Sequence, residues 1–270
     1  MKRTALALLM TFFFSAPALA VENPWTKKLP FKEGTVSYEI SGTIKGNETV
    51  YVKDHGHTTA AYRTETGSSF GFSTNTRELT LTTPDWIYTV DLDDNTGTKQ
   101  INPKKVITDE FNRLSRKDQK KLVKNSDQLG ITLVGGLSGS VEKKAVKLLG
   151  YRCDRVTAMG IETCTLTGTD FPMKSSGQLM GMTFREEATR IEKKRVASQK
   201  FSLPQGADIL HEPAADAAIT GQIRMMFQSL LEGERPVSRQ EQGMNNEEMG
   251  DAIKALQQMQ GLFGPSNDNE

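Results

Sequence analysis

Histidine is scarce in this 270-residue chain, cysteine and tryptophan occur twice each, and neither sign of charge prevails. Of the three histidines, His55 and His57 share the turn Asp54-His55-Gly56-His57, and His211 lies far away. Two imidazoles on one glycine-centred turn bring no fourth ligand and no fixed orientation, so we read turn chemistry and expect no metal. The 34 basic and 33 acidic residues leave a formal charge of +1. Basic pairs such as Lys120-Lys121 and Lys143-Lys144, and the run Lys193-Lys194-Arg195, sit among acids and amides, as on a solvated face. Without a concentrated positive field, nucleic acid is not an expected partner. Beyond the first twenty residues no apolar run is long enough to cross a bilayer. The 7% aromatic content and the polar end Ser266-Asn267-Asp268-Asn269-Glu270 argue against an outer-membrane barrel.

The first twenty residues have a different pattern. Lys2 and Arg3 precede the apolar stretch Ala5 to Phe14, and Ala18-Leu19-Ala20 offers small residues at a cleavage point. This is the pattern of a secretory signal peptide (1–20), too short in its apolar part to be a membrane span. The expected product starts near Val21, is periplasmic and soluble, and carries a formal charge of −1 once Lys2 and Arg3 are gone. The first cysteine, Cys153, is far from that point, so no lipid anchor is expected. Export to an oxidising space favours pairing of Cys153 with Cys164. Counting outward from a four-residue loop Thr157-Ala158-Met159-Gly160 puts the two directly opposite, where a bridge would add roughly 3 kcal/mol or less.

Periodicity divides the rest. Between Thr35 and Ile101 the dominant period is two, clearest where Val36, Tyr38 and Ile40 alternate with Ser37, Glu39 and Ser41. Turn signals at Lys45-Gly46-Asn47, Asp54-His55-Gly56, Thr66-Gly67 and Asp93 to Gly97 predict an antiparallel meander. After Pro103 the spacing of Ile107, Phe111 and Leu114 becomes helical, and Ser115 to Asp118 opens a second helix through Leu129. Gly135 to Ser140 reads as a flexible connector. Strands resume over Val141–Leu149, Tyr151–Thr157, Ile161–Thr167, Gln178–Glu186 and Ala188–Val196, for about ten or eleven in all. Beyond Gly206, Ile219, Ile223, Met226, Phe227 and Leu230 make one amphipathic stripe, and Met249, Ile253, Leu256 and Met259 another. The expected organisation is therefore a mainly β (α+β) domain over 21–206 with a helical insertion near 103–130, then a helical extension, 207–270, with a disordered tail.

Catalytic motifs are missing where they would count. Asp91-x-Asp93-x-Asn95 fails as a calcium loop because Thr96 stands where glycine is required and Asn102 where glutamate is. Gly136-Leu137-Ser138-Gly139 fits neither the nucleophile elbow nor, lacking Lys-Ser/Thr, a phosphate loop. Glu186 and Glu187, adjacent on a strand, face opposite sides and cannot act on one bond together. The reading is a non-enzyme without a cofactor.

Several short motifs nevertheless resemble something known. Gly34-x-Val36-x-Tyr38-x-Ile40-x-Gly42, Asp85-Trp86-Ile87-Tyr88-Thr89-Val90-Asp91-Leu92, Gly150-Tyr151-Arg152-Cys153-Asp154 and Phe201-x-Leu203-Pro204-x-Gly206 follow in an order similar to that of a family of uncharacterised periplasmic proteins. That family resembles in turn the LolA/LolB lipoprotein-carrier superfamily. The resemblance, over about Lys32 to Gly206, implies a curved antiparallel sheet, an open half-barrel lidded by the helical insertion. It also implies an apolar hollow for a lipid, an acyl chain or an apolar segment. Tyr38, Ile40, Phe70, Phe72, Trp86, Tyr88, Met180, Met182 and Phe184 are the candidate lining, each of which is alternatively plain core. The competing expectation is an envelope scaffold that meets a protein partner through its C-terminal helices.

Overall fold

The computed structural model describes residues 21–234 and 236 apart from 70, 71, 130, 131, 135, 136, 159, 180 and 181, and for 68, 69, 72–74, 132–134, 137–140, 158, 179 and 182 the backbone alone. Among the described residues the chain is mainly β, as expected, in one curved, unclosed sheet with three α-helices. Six strands form the first meander: β1 (Gly34–Gly42), β2 (Ile44–Lys53), β3 (Thr58–Ser69), β4 (Phe72–Thr82), β5 (Trp86–Asp91) and β6 (Thr96–Ile101). Helices α1 (Pro103–Arg113) and α2 (Arg116–Leu129) follow. The second meander comprises β7 (Thr132–Val134), β8 (Leu137–Leu148), β9 (Tyr151–Ala158), β10 (Ile161–Leu166), β11 (Pro172–Leu179) and β12 (Met182–Glu192), before β13 (Asp208–His211) and α3 (Pro213–Glu232).

The strand order is β13-β6-β5-β4-β3-β2-β1-β12-β11-β10-β9-β8-β7, antiparallel except where β13 runs parallel to β6. The two meanders therefore join at β1 and β12, and the helical insertion links their two far strands, β6 and β7. Curvature brings the β6 end of the first meander near the second. Lys104 at the start of α1 reaches Asp170, in the β10–β11 turn, at 2.6 Å.

Several expected turns are strand interior. Gly46 lies within β2, and a Cβ there would sit 2.1 Å from the Thr64 carbonyl oxygen of β3. Its glycine answers close backbone approach rather than a reversal. Thr66-Gly67 continues β3, the stretch read as a connector contributes Leu137–Ser140 to β8, and the two strands expected over Gln178–Glu186 and Ala188–Val196 are mainly one, β12, which ends at Glu192 and pairs with β11 before it. Asp54-His55-Gly56 does turn, with positive φ at all three residues.

The insertion helices begin as read. Asn102 accepts from the Lys104 amide, and Ser115 Oγ accepts from the Asp118 amide while donating to Asp118 Oδ2. Val106, Ile107, Phe111 and Leu122 then pack against Ile223, Met226, Phe227 and Leu230 of α3, with Trp25 alongside. The first C-terminal stripe is thus docked on the insertion. The extension also enters the sheet, through β13, and Asp216 of α3 accepts from the Ile101 amide at 2.6 Å. The second stripe, Met249 to Met259, lies outside the described residues.

The two faces of the first meander are buried differently. On one, Val36, Tyr38, Val50 and Val52 pack with Leu29 and Phe31 of the N-terminal segment and with Cys153, Cys164, Met173 and Ala188. On the other, Ala60, Leu79, Leu81 and Val90 are covered by Phe201, Leu203, Ala207 and Ile209, so the closing Phe-x-Leu-Pro motif serves as a strap.

A buried, under-neutralised charge cluster

Register decides which side chains share a face. Tyr38 pairs with Glu48, Glu48 with Arg63, and Arg63 with Glu78, which sets one row across β1 to β4. One step along, Glu186 of β12 pairs with Ile40, Ile40 with Gly46, and Gly46 with Glu65. Glu48, Arg63, Glu65, Glu78 and Glu186 therefore point to the Tyr38 face, and all five are buried.

Arg63 organises them. Its Nε donates to Glu65 Oε1 at 2.6 Å, and its Nη1 donates to Glu48 Oε2 at 3.0 Å and Glu186 Oε2 at 3.2 Å. Glu78 Oε1 accepts from the Thr80 hydroxyl at 3.1 Å. Four carboxyls face one guanidinium. If all were ionised, three negative charges would be uncompensated in a low-dielectric interior, where burial and mutual repulsion both oppose ionisation.

The titration behaviour follows. Burial raises Glu78 to about 7, against the lowering effects of Thr80 and Arg63. Burial first, and then repulsion between the two, pushes Glu48 upward, while burial pushes Glu186 upward despite Arg63. Burial would lower Arg63, but Glu186, Glu48 and Glu65 outweigh it and keep the guanidinium charged. Tyr38 donates its hydroxyl to the Pro172 carbonyl at 2.7 Å, and burial with Glu48 and Glu186 nearby keeps the phenol neutral. One polar atom stands out: Glu65 Oε2 is buried and has no hydrogen-bond partner. Such an atom costs about 1–3 kcal/mol, more when charged.

Sequence reasoning missed this cluster because alternation was read as apolar inside and polar outside. Glu48 is in phase with Val50 and Val52, and Glu186 with Ala188. Charges in phase with a buried series were the available signal.

The expected lining divides between faces. Tyr38 and Ile40 are buried beside the cluster, and half-buried Phe184 shares their face through its pairing with Gly42. Trp86 and Tyr88 instead share the opposite face, since Leu81 pairs with Tyr88. Trp86 stacks edge-on with His211 at 5.3 Å, and Lys99 lies over its ring. Phe70 and Met180, and the side chains of Phe72 and Met182, lie outside the described residues. Glu186 and Glu187 do face opposite ways: Glu187 pairs with Arg185 and Lys174 on the other side. Two surface clefts of about 440 and 410 Å³ lie elsewhere, beside Arg195 and beside Lys144, and contain none of the expected lining.

The cysteine expectation is corrected. Ala158 pairs with Ile161, so the hairpin loop has two residues rather than four, and Cys153 stands opposite Leu166 while Cys164 stands opposite Arg155. The cysteines are buried free thiols. They are diagonal neighbours, a placement that sets Cα atoms roughly 7–8 Å apart, outside the roughly 4.4–6.8 Å usual for a disulfide. Burial raises both thiols, Cys153 to about 11.

His55 is held by the turn, its amide donating to the Lys32 carbonyl and its Nδ1 3.0 Å from the Leu29 carbonyl oxygen. Among the described residues no three histidine, cysteine or acidic side chains are arranged to hold a metal ion, and no helix is long and apolar enough to cross a membrane.

No family model and no curated protein matches the chain. Among solved structures it is similar to an uncharacterised conserved protein from Thermus thermophilus, at 8% identity and a TM-score of 0.40, over 68% of this chain and 92% of that one. It is also similar to PNGF-II, at 12% identity and a TM-score of 0.37, over 71% of this chain and 32% of that one.

Proposed function

We propose that this is a non-enzymatic periplasmic binding protein whose half-barrel takes an amphiphilic ligand, a lipid or other acyl-bearing molecule, on the Tyr38 face. What supports the reading is that an open curved sheet carries apolar Tyr38, Ile40 and Phe184 beside a charge cluster that its own residues leave under-neutralised. A scaffold needs neither. Buried charge without full compensation destabilises a fold, and departures of that kind are expected at functional or strained sites. The sequences of the β3–β4 and β11–β12 connections point the same way, because Phe70-Gly71-Phe72 and Leu179-Met180-Gly181-Met182 are apolar where hairpin connections are usually polar.

The test is uptake of a fluorescent acyl chain by the exported chain, with native mass spectrometry of protein from its own periplasm. Phe184→Ala should weaken uptake several-fold without unfolding the protein. Absence of both a co-purified lipid and any uptake would remove the proposal.

An envelope scaffold is the second reading, favoured by Met225 on α3, which stays 59% exposed while its neighbours Met226 and Phe227 are buried. The discriminating change is Met225→Asp, which leaves β13 and α3 packed, whereas a cut after Gly206 would strip both from the structure. Loss of a pulled-down partner with acyl uptake intact would favour the scaffold.

A further inference from the structure

We propose that the Glu65 end of the buried cluster is the head-group site of the half-barrel, and that it takes a primary ammonium group. This rests on the binding reading above and specifies the ligand class.

The argument starts from which groups are already committed. Arg63 is the one cation in the cluster, and its Nε and Nη1 are engaged by Glu65, Glu48 and Glu186. Two of its three nitrogens are therefore committed to the carboxyls of the cluster itself. An anionic head would also enter beside Glu48, Glu65, Glu78 and Glu186 and add to the repulsion that already opposes their ionisation. A cationic head meets the opposite situation: it favours ionisation of carboxyls that burial opposes, and it supplies a donor to the Glu65 oxygen that lacks one.

Glu65 identifies where that donor is missing. Its side chain is 6% exposed, its Oε1 is taken by Arg63 Nε, and its Oε2 has no partner. Across the strand on the β2 side stands Gly46, which has no side chain to offer. Across on the β4 side stands Thr76. The charge of Glu65 bears on both Glu78 and Glu186, so a donor shared among these carboxyls relieves repulsion at the same time as it satisfies Oε2. An ammonium group has three N–H donors and a compact charge, which suits several acceptors at once.

The place along the strands also fits. Phe31 packs against the Gly34 end of β1, where a Cβ would lie 3.2 Å from the Phe31 ring. Glu65 and Glu186 are at the level of Ile40, nearer the β1–β2 turn than Arg63. Phe184 lies one cross-strand step beyond, opposite Gly42. An amphiphile entering from the turn end would meet Phe184 and Ile40 with its chain and Glu65 with its head.

The experiment uses the full exported chain and three probes of equal chain length below their micelle concentrations: decylammonium, decanoate and decyl maltoside, titrated calorimetrically near neutral pH. The expected result is at least tenfold tighter binding of decylammonium than of decanoate. Glu65→Gln should abolish that preference, since its carbonyl oxygen can still accept from Arg63 Nε while its amide nitrogen offers an ammonium group neither charge nor acceptor. Glu78→Gln, which keeps the Thr80 contact, should weaken decylammonium several-fold and serves if Glu65→Gln fails to fold. Equal binding of all three probes, or a preference for decanoate, would overturn the proposal and leave the half-barrel reading standing. Binding of none would remove both. Saturation by calcium or magnesium alone, lost in Glu65→Gln, would overturn the ammonium assignment in favour of a metal ion.

Discussion

Glu78→Gln should make the protein more stable, and only above mildly acidic pH. The wild-type carboxyl is buried, held by one hydrogen bond from Thr80, and raised from an ordinary value of 4.5 to about 7. A raised folded-state value means that folding favours the protonated form. The stability this group allows is fully present below pH 4.5 and is lost as pH rises toward 7. The gap of about 2.5 pH units, at about 1.36 kcal/mol per unit, corresponds to roughly 3 kcal/mol. Glutamine has nearly the same shape, still accepts from Thr80, and has no proton to lose. Urea denaturation of both proteins at pH 4 and pH 8.5 measures the difference. The variant should match wild type within about 0.5 kcal/mol at pH 4 and exceed it by roughly 2–3 kcal/mol at pH 8.5. Equal stability at both values, or a variant weaker at pH 8.5, would mean that the Glu78 carboxyl is not confined among like charges.

Three further outcomes follow from the same geometry. Arg63→Met should cost about 3–5 kcal/mol at neutral pH, because Glu48, Glu65 and Glu186 lose their counter-ion. The loss should shrink toward pH 4 in thermal melts, and a pH-independent loss would indicate packing alone. Cys153 and Cys164 should both take a maleimide in urea without reductant and resist it for hours when folded. Fewer than two labels by mass spectrometry would reinstate a disulfide. Asp216→Ala removes the acceptor for the Ile101 amide and the Asp216–His211 contact, at about 1–3 kcal/mol. Hydrogen exchange at Ile101 should accelerate, and unchanged protection there would show that α3 is held by its apolar stripe alone.

Local pattern carried much of the architecture. The alternation through Val36, Tyr38 and Ile40, the Ser115 cap, and the stripe Ile223 to Leu230 each became the element expected, because each is decided within a few residues. The errors fell where a distant strand overrode the local signal. Gly46 looked like a turn and is a close crossing with Thr64, and the Cys153 hairpin is tighter than its glycine suggested.

Strand composition, helix boundaries and the predominance of antiparallel pairing were thus determined by the sequence alone, since propensity, capping and period act over single turns or hairpins. Which side chains meet was decided only in the tertiary structure. Glu48, Arg63, Glu65, Glu78 and Glu186 come from four strands, and β12 reaches β1 only after the chain has passed through β2 to β11 and the two insertion helices. Sheet register, a long-range property, converts five ordinary surface-type residues into one buried site, and no short window of sequence contains it.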